Sequence, residues 1–132
     1  MNYKERREYI AEKILGATKK FLYHTWLHVK GKEFHPPFEW EFPTGETLNS
    51  RTNFEFLPEW VGPICEVVLP MLTKQNWAVL PIGSKVTIIE LTQFESKEIR
   101  AYDFKNVIMF EPLVTALVDS HIKIEKEKKQ NE

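Results

Sequence analysis

The stretch HTWLHVKGKEFHPPFEW, residues 24–40, gathers three of the chain's four histidines and two of its four tryptophans. Its reading decides the fold. As a helix it would set His24 and His28 one turn apart on one face, the start of a metal site. As a strand it separates them by ~13 Å, at ~3.3 Å per residue, too far for two imidazoles that must each approach one ion to ~2 Å. The surrounding pattern is that of strands: Phe21, Tyr23, Thr25, Leu27 and Val29 alternate with Leu22, His24, Trp26, His28 and Lys30, a period of two rich in aromatic and β-branched side chains. KGKE at 30–33 supplies a glycine-containing turn, and Phe38, Trp40 and Phe42 then alternate with Glu39 and Glu41.

Residues 21–42 are therefore expected to form a β-hairpin, with Pro36 and Pro37 marking an edge or an irregularity because they cannot donate to a ladder. In that hairpin His24, Trp26, His28 and Lys30 share one face, and an offset second strand brings Glu39 and Glu41 beside them. These six residues are the candidate partner surface, since tryptophan is over-represented among the anchors of protein interfaces. If Trp26 instead supports a helix, the 43–53 loop is the next candidate.

Outward from the hairpin the period changes. Upstream, Asn2 and Glu5 have capping-box spacing, Tyr3, Ile10, Ala11 and Ile14 form a helical stripe, and Gly16 is a natural stop. Downstream, residues 47–53 read as an exposed polar loop. In LPEWVGPICEVVLPMLTKQ, residues 57–75, Trp60, Ile64, Val67, Val68, Met71 and Leu72 give a buried helical stripe; Pro58 and Pro63 suit a first turn and Pro70 is expected to break or kink the helix. NWAVL, KVTIIELTQF and KEIRAYDF read as strands. From Met109 onward a closing helix presents Leu113, Ala116, Leu117, Ser120 and Ile124, with His121 half-buried at its surface. The expected architecture is α+β: a mostly antiparallel sheet of four to five strands packed with three helices, sandwich-like, in one domain over residues 1–126 followed by a charged tail at 127–132.

Composition narrows the function. A chain of 132 residues, 42% hydrophobic and 28% charged, can bury a core without staples. Its net charge of −1 is a poor start for a phosphate-binding surface, and Glu39, Glu41 and Glu46 around Trp40 would repel a nucleic-acid backbone, so nucleic acid is not the expected partner. The single Cys65 forms no internal disulfide and reads as a small inert residue of an apolar helix. With no apolar signal core and no run long enough to cross a bilayer, the reading is a cytoplasmic protein. No nucleophile elbow, phosphate-cradling glycine loop or zinc-protease motif occurs, and Glu39 and Glu41 are neighbours on a solvated strand face, not an acid–base pair. No catalytic residue, metal site or cofactor is expected.

Three segments together resemble a known family. IAEKILG at 10–16, the proline-opened LPEWVGPICEVVLPML at 57–72 and FEPLVTALVDSHIKI at 110–124 are similar to the small proteins grouped as the phage ABA sandwich domain. The resemblance implies helices on both faces of a sheet and a phage or prophage origin, hence a host cytoplasm. It supplies no functional residues. The expected function is that of a non-catalytic binding or inhibitor protein acting on a host protein. The alternatives are a sequestering protein with a pocket for a nucleotide-like small molecule at a subunit interface, and an enzyme of unrecognised type. Self-association is the other expected partner arrangement.

Overall fold

The computed structural model describes residues 1–22, 27–29, 32–34, 37–95 and 100–131. The fold is α+β, and the chain divides into two compact units, Met1–Leu57 and Pro58–Glu132. The described strands do not join into one sheet of four to five. They form two three-stranded antiparallel sheets and a two-stranded ladder.

The first unit opens with α1 (Tyr3–Tyr9), which continues into a π-helical turn at Ile10–Ile14. The capping box is present: the Glu5 amide donates to Asn2 Oδ1 at 2.8 Å, and the Asn2 amide donates to Glu5 Oε2 at 3.4 Å. Ile10, Ala11 and Ile14 are buried as the stripe requires. Tyr3 is not: it is 82% exposed, because a residue in the first turn lies beyond the helix's packed length. Gly16 ends the helix at φ +72°, and the Ala17 amide donates back to the Ala11 carbonyl at 2.8 Å, the wide closure that a left-handed residue permits.

β1 (Thr18–Phe21) then pairs with β4 (Phe38–Glu41), Phe21 opposite Phe38 and Thr18 opposite Glu41. Within that span β2 (Leu27–Val29) pairs with β3 (Lys32–Phe34). The described residues of the hairpin thus form two antiparallel ladders, β2–β3 lying in sequence between β1 and β4. β5 (Thr47–Asn49) adds to β4, with Leu48 opposite Trp40, so the expected loop at 47–53 begins as an edge strand. Trp40 is fully buried and its Nε1 donates to the Ser50 carbonyl at 3.3 Å. Phe42 and Phe54 are buried edge to face, with ring centroids 6.0 Å apart.

In the second unit a 3-10 turn at Pro58–Trp60 leads into α2 (Val61–Lys74), which runs unbroken through Pro70. Pro70 and Glu66, whose carbonyl loses its helical partner there, are both exposed, so water can replace the missing bond. Ile64, Val68 and Leu72 are buried. β6 (Trp77–Ile82), β7 (Lys85–Glu95) and β8 (Arg100–Glu111) form a meander. The first turn of that meander is the two-residue Gly83–Ser84, with Gly83 at φ +62°. β8 runs to Glu111, past the expected strand and into residues read as the start of the last helix. α3 begins only at Leu113, after Pro112, and extends to Gln130. Ala116, Leu117, Ser120 and Ile124 are buried as expected, and His121, expected half-exposed, is buried with them. The charged end remains helical, with Lys123–Glu127 and Glu125–Lys128 pairs at 3.5 and 3.6 Å.

Candidate functional site

The register of the second sheet separates its two faces. One face carries Val79, Val86, Ile88 and Met109, with Val86 and Ile88 buried. Ser120 Oγ of α3 lies 3.7 Å from Met109 Sδ, so this is the face that the helix covers. The opposite face carries Ala78, Leu80 and Ile82 from β6, Lys85, Thr87, Ile89 and Leu91 from β7, and Phe104, Val107 and Phe110 from β8. Among the described residues of this unit, helices are thus not found on both faces of the sheet.

Three of those β8 residues share a face only because the strand is irregular. Phe104, Val107 and Phe110 are spaced by threes, which a regular strand would place on alternating sides. Register shifts at Ile88/Ile89 and Glu90/Leu91 leave Ile108 and Lys105 as extra residues, and each bulge restores the next apolar side chain to the open side. The outcome is an apolar surface without cover: Leu80, Ile82, Val107 and Phe110 are 50–51% exposed and Phe104 is 59% exposed. Thr87 is buried in its midst, flanked directly by Leu80 and Phe110. At about 100 Å² each, those five residues present about 500 Å², the upper range of the largest apolar patch on an ordinary monomer. Lys85 places an ammonium on this face at the turn end of the sheet; its Nζ stands 5.3 Å from the Phe110 ring centroid.

The residues singled out by sequence fall elsewhere. His24, Trp26 and Lys30 lie outside the described residues, and His28 occupies β2 opposite Glu33. Glu39 and Glu41 stand on β4 opposite Lys20 and Thr18, and Glu41 pairs with Lys20 at 3.8 Å. Among the described residues no three His, Cys, Asp or Glu side chains gather as a metal set would. Burial pushes the Cys65 thiol above its ordinary value, away from thiolate chemistry at neutral pH. A hollow of about 440 Å³ runs along α3 between Asp119 and Gln130; one helix supplies all of its lining, so it cannot enclose a ligand. No helix among the described residues is long and apolar enough to cross a membrane. No protein-family model, no curated protein and no solved structure matches the chain.

Proposed function

We propose that the protein is a non-catalytic binding protein that acts by occupying another protein, and that its working surface is the open face of β6, β7 and β8. The observation that supports this reading is the row Leu80, Val107, Phe110 and Phe104, half or more exposed on one side of a sheet whose other side is packed. Water-facing apolar area of this size is costly unless something covers it. It amounts to more than half of the ~800 Å² that one partner contributes to a standard interface. The surface is a ridge of side chains on a twisted sheet, suited to a protein face more than to a small ligand, which needs concavity.

The partner's chemistry follows from Lys85. An ammonium beside Phe110 favours an apolar partner surface carrying an acidic residue opposite it. A phage protein directed at a host protein, the role implied by the family resemblance, fits this partner class.

The test combines self-association with a partner titration. Sedimentation of the purified protein should show a monomer. A protein captured from host cytosol should then be purified and titrated directly, with Phe110→Ala weakening it by about 2 kcal/mol, Lys85→Glu weakening it further at low salt, and neither variant shifting the melting temperature by more than a few degrees. A dimer that dissociates on Phe110→Ala would assign the face to a second copy and overturn the reading, as would partner binding indifferent to both substitutions.

A further inference from the structure

Within the first unit, a recess of about 270 Å³ is lined by Lys4, Arg7 and Glu8 of α1, Phe38 of β4, and Ser50 and Arg51 after β5. Its charge is lopsided. Three cations meet one carboxylate, and that carboxylate is already engaged: Lys19 Nζ lies 3.6 Å from Glu8 Oε1 and 5.0 Å from the Phe38 ring centroid. Neither Lys4, Arg7 nor Arg51 has an ion-pair partner among the described residues.

The adjacent arginines of α1 make the contrast plain. Arg6 is saturated by Glu55, Nε at 2.7 Å from one carboxylate oxygen and Nη2 at 2.8 Å from the other. Arg7, one residue on, has its Nε sealed from solvent with no acceptor. Packing, not an ion pair, therefore holds this guanidinium at the wall, and its outer nitrogens keep their bonding capacity. Unmatched cations drawn together around a concavity repel one another, and the charge that relieves them is an anion. The planar donor fork of arginine matches a phosphate group in particular. Phe38 adds an apolar wall beside the cations. Glu8, in the same lining, disfavours a ligand that is anionic throughout and can accept from a ligand hydroxyl.

We propose that this recess binds a small phosphate monoester, with the guanidinium groups of Arg7 and Arg51 and the Lys4 ammonium on the phosphate and the organic part against Phe38. The volume lies just under the range of pockets that enclose drug-sized ligands, roughly 300–1,000 Å³, and so limits the organic part to about one ring. The site is independent of the open sheet face, and neither reading needs the other.

The experiment is a titration of the full chain with phenyl phosphate, inorganic phosphate and phenol, followed through backbone amide shifts. Phenyl phosphate should bind at least about tenfold more tightly than either fragment, a difference of ~1.4 kcal/mol, with shifts centred on Arg7, Phe38, Ser50 and Arg51. Arg7→Gln and Arg51→Gln should each weaken it at least about tenfold, and added salt should weaken it as well. Arg51 is exposed, so its variant decides the matter even if Arg7→Gln disturbs folding. Equal affinity for phenyl phosphate and phenol, equal affinity for phenyl phosphate and inorganic phosphate, or full affinity retained by Arg51→Gln would each overturn the proposal.

Discussion

Arg6 and Glu55, 49 residues apart in sequence, meet as a bidentate pair with contacts of 2.7 and 2.8 Å. The carboxylate side chain is 6% exposed and the guanidinium 19%, so the pair is shielded from solvent and staples α1 to the 3-10 turn Phe54–Phe56. Removing one member of a shielded pair strands the other charge, which costs more than the intact pair is worth. Glu55→Gln should therefore destabilise the protein by about 3 kcal/mol in urea unfolding, whereas Glu41→Gln, whose pair with Lys20 is exposed, should cost under ~1 kcal/mol.

Ile64, Val68 and Leu117 are fully buried in the second unit. Ile64→Ala and Leu117→Ala should each lower stability by about 2–5 kcal/mol, and Val68→Ala by somewhat less because it removes fewer atoms. Chemical denaturation of the three variants checks this; wild-type midpoints for all three would contradict the packing.

His121 supplies a pH dependence. Burial holds its imidazole below the ordinary 6.5, with Glu125 pulling it up and Lys128 pushing it down by smaller amounts. The unfolded chain then takes up a proton near pH 6.5 that the folded ring refuses, so the unfolded state binds more protons in the window below that value. Stability contributed by His121 is complete above pH 6.5 and declines as pH falls through the folded value. Melting temperatures between about pH 7.5 and about pH 5.5 should fall in the wild type and fall less in His121→Gln, since histidine is the side chain that ordinarily titrates there.

Cys65 is partly buried, with its thiol pushed up. Its alkylation at neutral pH should be slower than that of a free cysteine and should accelerate in denaturant, because the thiolate is the nucleophile. Mass spectrometry of timed reactions reads this directly, and native-state labelling at the free-thiol rate would contradict it.

What the sequence disclosed, and what it withheld, follows from the range of the signals. The Asn2–Glu5 cap, the stop at Gly16, the Ile64–Val68–Leu72 stripe and the alternation of Phe38, Trp40 and Phe42 are written in neighbouring residues, and periodicity finds them. Thr47–Asn49 escaped because an edge strand buried on neither side needs no apolar alternation. The end of β8 escaped because its bulges turn a period of two into a spacing of three, and the run Val107 to Phe110 then resembles the approach to a helix. The open apolar face was hidden for the same reason: each of its strands looks like an ordinary buried strand until the register shows which side is covered. The recess was out of reach altogether, since positions 4–8, 38 and 50–51 come together only through the β1–β4–β5 sheet and the turn after it.

Pro81 sits on β6 opposite Val86, one position from the pair that closes the Gly83–Ser84 turn, and in that register its nitrogen points away from β7. A free strand edge invites growth, because each exposed amide can recruit the carbonyl of an arriving chain, and a sheet with an apolar face stacks readily once growth begins. Here the row of donors is interrupted where a proline stands, and no side-chain change elsewhere would be needed to block fibre formation from that edge. On the β6 side the sheet thus combines an open apolar face with an edge that offers no unbroken row of donors to an arriving chain.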